Sequence, residues 1–552
     1  MMNKFAPNTQ NFLRVKSAIF NLVRDAEDIL ARRKSGQLSS ISNQYLEALR
    51  QTDPRLDMKR IIDNKDALLK DSYKWILDHP DFIAWRNSDE TRLLWIKGDP
   101  GKGKTMLLIG IIEELSQELE PMPEPSPLSY FFCQGTDSRL NNVTAVLRGL
   151  IYLLLIQQIS LIAHLREKFD HAGRQLFEDA NAFYALSEIF RDMLHDPTLT
   201  RVYLILDALD ECETGLTQLL DLIVRNVSAS SRVKWIVSSR NRHDIEARLQ
   251  LNDSHTNLSL ELNAEHVSHA VDVYIDHKVS QLTRLKHYDS MLQDQVRDLL
   301  CQKANGTFLW VALVCKELGE VEIWNTLEVL DEVPADLTPL YDRMMKQILQ
   351  LERKDPEFCR LILSTTTLAY RPLHLLELGA LAGLPEQLSC KLQSLITIIN
   401  MCGSFLTIRK DTVYFIHQSA KDYIDSNIFP SGKAEVHRRI VSKSLQVMSK
   451  TLRRDIYDLR APGTLITQVV PVEQDPLAPV RYSCVSWIDH LCELDSSSHY
   501  QDELRDGGAI HIFLQEHFLH WLEALSLLGS MPNGVLAIAK LENLLRVRFP
   551  LI

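Results

Sequence analysis

The stretch Gly98-Asp99-Pro100-Gly101-Lys102-Gly103-Lys104-Thr105 constrains this chain more than any other. It fits G-x-x-x-x-G-K-[ST], follows the apolar run LLWIK, and opens the helical run TMLLIGIIEELSQEL at Thr105. Glycines let such a loop wrap so that successive backbone N–H groups point inward at phosphate oxygens, and the following helix adds the positive end of its dipole. Lys104 supplies a mobile point charge for β- and γ-phosphates, and the Thr105 hydroxyl can ligate Mg²⁺. A glycine-rich surface turn would require neither the strand before nor the helix after. Residues 98–105 are therefore read as a P-loop.

A P-loop needs a parallel sheet around it, and the chain offers one. The apolar runs LSYFFCQ (from Leu128), VYLILDAL (from Val202) and VKWIVSSR (from Val233) alternate with helical segments. That alternation predicts an α/β core, a parallel sheet with helices on both faces. After Arg240 strand signals become sparse. Val267 to Leu318 and Leu337 to Leu381 read as helices, with Pro372 as punctuation. Thr407 to Ile416 reads as a short hairpin turning at Lys410-Asp411, and the chain from Val436 onward is mainly helical again. Asn11 to Asp71 has helical periodicity and is read as an amino-terminal arm. Gly149 to Ala163 is shorter than the roughly 20 apolar residues of a membrane span and is interrupted by Gln157 and Gln158, so it reads as a buried helix. Near the end, IFLQEHFLHWLEALSLL (Ile512 to Leu528) reads as a buried helix with Gly529 as C-cap. Ile512, Phe513 and Leu519 broaden its apolar stripe. No period of roughly 20 to 50 residues recurs, which argues against a propeller or ankyrin array.

Composition excludes several classes. With 45% hydrophobic and 24% charged residues in 552, this is multidomain globular usage rather than a disordered or collagen-like chain. A net charge of -11 lacks the overall field of a nonspecific nucleic-acid binder, so no nucleic-acid partner is expected. The nine cysteines contain no C-x-x-C and the 18 histidines no H-E-x-x-H, which points to reduced core thiols and no zinc site. The amino terminus has no apolar signal region, and the expectation is a cytoplasmic protein without a transmembrane segment.

The second strand run carries the other chemistry. Asp207 ends it, and a carboxylate at a strand's carboxyl end beside a P-loop can hold Mg²⁺ through water. Asp210 and Glu211 follow, and either could polarise the attacking water. Arg240 ends the next strand, where a guanidinium can reach the γ-phosphate; Arg242 competes for that role.

The P-loop, the run Leu206-Asp207-Ala208-Leu209-Asp210-Glu211 and the SSR strand end together resemble the NACHT class of signalling NTPases. FFCQGTDSRLNNVTAVLRGLIYLL (Phe131 to Leu154), GTFLWVAL (from Gly306), VPADLTPLYDRMM (from Val333) and FIHQSAKDYI (from Phe415) are similar to its fungal branch, which includes vegetative-incompatibility proteins. The likeness runs from about Leu69 to Ile424 and continues more weakly beyond. It implies an amino-terminal arm (1–68), a P-loop domain (69–245), a small helical domain (246–325), a winged-helix domain (326–430) and a carboxyl-terminal helical domain (431–552). It also implies a switch that rests with ADP or GDP, takes up ATP or GTP with Mg²⁺, hydrolyses it slowly, opens towards a homo-oligomer and meets protein effectors or sensors. His417 matches the winged-helix histidine that contacts the diphosphate in the family. Relatives often use Gly-x-Pro against the base, where this chain has Gly306-Thr307-Phe308, so Phe308 either stacks there or fills core. The competing readings are a nucleotide-binding scaffold without significant hydrolysis and a motor ATPase, for which no substrate-threading loop is seen.

Overall fold

The computed structural model describes residues 44–548, apart from 66–67, 120–125, 180, 250–254, 390, 430–431, 461–468, 470–474 and 495–504. The expected arm up to residue 43, and most of the proline-rich loop from Pro121 to Pro127, lie outside the described residues.

Five parallel strands form the central sheet: β1 (Leu93–Lys97), β2 (Leu128–Phe132), β3 (Val202–Asp207), β4 (Val233–Ser239) and β5 (His255–Ser259), in the order β2-β3-β4-β1-β5. Helices cover both of its faces, among them Lys104–Leu119 and Val143–Gln157. Every residue of β3 and β4 is buried, which is why these strands read as unbroken apolar runs rather than alternating ones. Lys234 is a buried charge in β4. Its ammonium donates to the carbonyls of Trp85 and Thr91, each at 2.8 Å, and to that of Ser88, so all three donors are satisfied.

Several expectations need correction. The sheet does not end before residue 245: β5 pairs with β1 in parallel register, Trp95 opposite Asn257. The apolar stretch from Gly149 is not one helix, because Val143–Gln157 stops at Gln158 and a new helix, Ile162–Ala172, follows a short turn. On the helix Ala509–Leu527, Phe513, Trp521 and Leu525 are buried, but Ile512 and Leu519 face outward. Gly529 does take the left-handed backbone of a helix end, at φ 64°.

Beyond the sheet, the helices Ala264–Lys286, Ser290–Lys303, Phe308–Glu320, Leu337–Leu349 and Asp355–Leu368 share one hydrophobic core with a small antiparallel sheet, β6 (Leu373–His374), β7 (Leu406–Arg409) and β8 (Thr412–Phe415). The regions expected as separate small helical and winged-helix units thus have a common interior. The hairpin turns at Lys410 and Asp411, both in left-handed backbone at φ 44° and 58°, with Arg409 opposite Thr412. A further core joins Ala434–Thr451, Arg481–Cys492, Ala509–Leu527 and Met531–Arg548 around Trp487 and Trp521. No helix among the described residues is long and apolar enough to cross a membrane.

Candidate functional site

A single cavity gathers the turn at residues 100–105, the acids after β3, Arg240 and His417. Gly101 and Gly103 stand at φ 80° and 85°, a left-handed conformation that bends the turn between β1 and the helix Lys104–Leu119. Space reinforces that choice at Gly103, where a Cβ would come within 2.8 Å of the Phe308 ring. The turn is anchored at its start, because Asp99 N–H donates to Glu261 Oε1 at 2.7 Å, just past β5. Sequence reasoning missed Glu261 along with its strand.

Lys104 folds across the turn, its ammonium donating to the Gly98 and Asp99 carbonyls at 2.5 and 2.9 Å. Burial pushes its pKa down, while Asp210 and Asp207 oppose that. Burial pushes the Asp207 pKa up, opposed by Ser238, Lys65, the nearby Thr105 hydroxyl and Lys104. Ser238 Oγ donates to Asp207 Oδ1 at 2.6 Å and accepts from Ala208 N–H at 2.8 Å. That second bond fixes Ala208 in left-handed backbone, φ 57°, and so sets the direction in which the chain leaves β3.

Asp210 and Glu211 have different surroundings. Asp210 accepts from the Arg240 backbone N–H at 2.9 Å and pairs with Arg240 Nε at 3.1 Å. Among the described residues Glu211 accepts a hydrogen bond only from Gly135 N–H, at 2.9 Å through Oε2, and burial, followed by the nearby Asp210 charge, pushes its pKa up to about 7. Arg240 also reaches out of the P-loop region: its Nη1 donates to Asp422 Oδ2 at 2.6 Å. Arg242 pairs with Asp244 and does not line the cavity.

His417 follows β8 and caps the helix Gln418–Asn427. Its Nδ1 accepts from Ser419 N–H at 3.1 Å. A backbone N–H can only donate, so in the neutral ring the proton sits on Nε2. Burial, with Lys65, Arg240 and Lys104 nearby, keeps the imidazole uncharged by pushing its pKa well down. Phe308 lines the same cavity, beside Tyr274 at 5.6 Å between ring centres, and Leu260, Val267, Ala270 and Leu313 add further apolar wall.

These residues fit a nucleotide. The polar half offers backbone N–H groups, Lys104 and a neutral imidazole donor to phosphates, and the apolar half offers rings to a base. Among the described residues no three His, Cys, Asp or Glu side chains converge on a metal position. Thr105 and Asp207 would hold Mg²⁺ together with phosphate oxygens and water, which is how that ion is commonly bound.

The family model described as Nephrocystin 3, N-terminal, matches residues 71–240. The vegetative incompatibility protein HET-E-1 of Podospora anserina is 50% identical over 520 residues, 91% of this chain and 38% of that protein. The chain therefore spans well under half the length of that relative. Among solved structures, a Walker-type ATPase of Pyrococcus abyssi is 14% identical at a TM-score of 0.29, covering 64% of this chain and 94% of its own. The Aeropyrum pernix ORC1 protein in complex with DNA is 12% identical at 0.30, covering 65% and 92%.

Proposed function

We propose that the chain, 50% identical over 91% of its length to a vegetative incompatibility protein, is a fungal NACHT-type protein and a nucleotide-operated conformational switch in incompatibility or immune signalling. It binds ATP or GTP with Mg²⁺, hydrolyses it slowly, and holds the diphosphate in its closed form. The observation that carries this reading is the convergence of residues 100–105, the acids after β3 and the distant His417 on one cavity.

In this reading the turn at residues 98–105 and Lys104 bind the phosphates, and Thr105 with Asp207 carries the metal. Mg²⁺, when bound, neutralises charge on the phosphates. Glu211 orients the attacking water: Asp210 is engaged by Arg240, whereas Glu211 has an oxygen to spare and a pKa suited to a base. His417 donates through Nε2 to a phosphate oxygen and so ties the region after β8, read as a winged helix, to the P-loop region. In the closed form Arg240 is engaged by Asp210 and Asp422, and its release to a third phosphate is what opens the molecule towards a homo-oligomer and its effector or sensor proteins.

The test is mass spectrometry of nucleotide retained by the purified chain, then sizing after triphosphate exchange. Retained ADP or GDP and a larger species in triphosphate are expected; a chain that neither retains nor binds nucleotide would end the proposal. Lys104→Ala is expected to lower affinity at least about tenfold by calorimetry, the worth of one charge-assisted phosphate contact. The Arg240 pairs also favour a second reading, binding without turnover. Single-turnover hydrolysis separates the two.

A further inference from the structure

The cavity contains a cation that neither the P-loop motif nor the strand-end pattern accounts for. Lys65 immediately follows the helix Pro54–Asn64, well ahead of β1, and lines the same cavity as Lys104, Asp207, Glu211 and His417. Its backbone N–H closes that helix on the Ile61 and Ile62 carbonyls, which fixes where the side chain starts. Protein surrounds the ammonium closely enough to push its pKa down, with the Asp207 and Glu211 charges opposing. Yet no hydrogen bond or ion pair joins the side chain to another described residue, and it is open to the interior of the cavity.

An ammonium that opens into a cavity and that no described side chain pairs with is placed to receive an anion. The two acids whose charges reach it do not serve as that anion, since both have other donors: Asp207 has Ser238, and Glu211 has Gly135. The cavity lies between the phosphate-gripping turn and those acids, so the anion that fits beside Lys65 is the outer end of a polyphosphate.

We propose that Lys65 is a phosphate-binding residue, contributed from outside the P-loop and strand-end motifs, that contacts the terminal phosphate of a bound nucleoside triphosphate. This rests on the nucleotide reading of the cavity and adds a second lysine to it.

The experiment is calorimetric titration of the whole chain and its K65Q and K65R variants with ATP and GTP, their diphosphates and the parent nucleosides. For K65Q, triphosphate affinity is expected to fall about tenfold, the worth of one charge-assisted hydrogen bond, and diphosphate affinity about threefold or less. Nucleoside affinity should be unchanged, and K65R should restore triphosphate binding to within about threefold. Equal triphosphate affinity in K65Q and the parent overturns the assignment, as does a loss of the same size for nucleoside, which would mark Lys65 as structural. If the unsubstituted chain binds none of these ligands, the nucleotide reading itself fails. An unchanged melting temperature of K65Q serves as the folding control.

Discussion

Ser238 and Glu211 show how much of the chemistry depends on single hydrogen bonds. In the sequence Ser238 is only part of a strand end, yet it orients Asp207 and holds the left-handed Ala208 together. Asp207, Asp210 and Glu211 were legible as a group because acids at the end of an apolar strand are unusual. Their division of labour was not, since it depends on where Arg240 and Gly135 lie. Lys65 carried no signal at all, because a lysine after a helix ordinarily faces solvent. One prediction belongs at this scale. Burial raises the Glu211 pKa to about 7, so its base form grows as pH rises. The kcat/KM of the free protein should therefore climb between about pH 6 and 8 and then level off. Glu211→Gln should lower turnover on the order of a hundredfold and flatten that limb, as read from steady-state rates across pH. An unchanged profile would remove Glu211 from the water-orienting role.

At the level of elements, β1 to β4 were legible because strands buried on both faces must be continuously apolar. β5 was not: His255, Thr256 and Asn257 are half-exposed or exposed at the sheet edge, and only Leu258 and Ser259 are buried. Two-residue β6 is too short to leave a period. The hairpin β7–β8 was legible from its turn residues, and it matters because it delivers His417 to the cavity. The helix that His417 caps also carries Asp422, and its partner Arg240 ends β4, so one ion pair joins two elements far apart in the chain. Asp422 is 44% exposed, which keeps the pair modest. Asp422→Asn should speed release of a fluorescent diphosphate up to about fivefold, the equivalent of ~1 kcal/mol, without unfolding the chain. An unaltered off-rate would show that the pair does not restrain the closed form.

For the whole molecule, the surprise is how the interior is divided. The second core runs through regions whose sequences look like separate units, and contacts across it could not be read from periodicity within each segment. A buried polar chain then joins that core, through Tyr482, to the helices Arg481–Cys492 and Ala434–Thr451: His437 Nδ1 meets His490 Nδ1 at 2.8 Å, and His490 Nε2 meets Tyr482 Oη at 2.7 Å. Burial holds His490 down to about 3 and His437 to about 4, against 6.5 for an ordinary histidine. Both pKa values are depressed in the fold, so their contribution to stability is complete above about pH 6.5 and is lost as pH falls towards 4 and 3. Each would cost up to ~1.4 kcal/mol per pH unit below that point. Melting temperature should fall on acidification from pH 7 to 5, and His490→Gln should make the fall shallower in calorimetric scans.

The walls of the cavity come from chain positions as distant as Lys65, Lys104, Asp207, Phe308 and His417. Whatever fills it would be enclosed by most of the molecule, more like a missing piece of interior than a guest on a surface. A preparation stripped of that filling should behave as a looser, more protease-sensitive body whose heat resistance rises with the concentration of the replacement supplied.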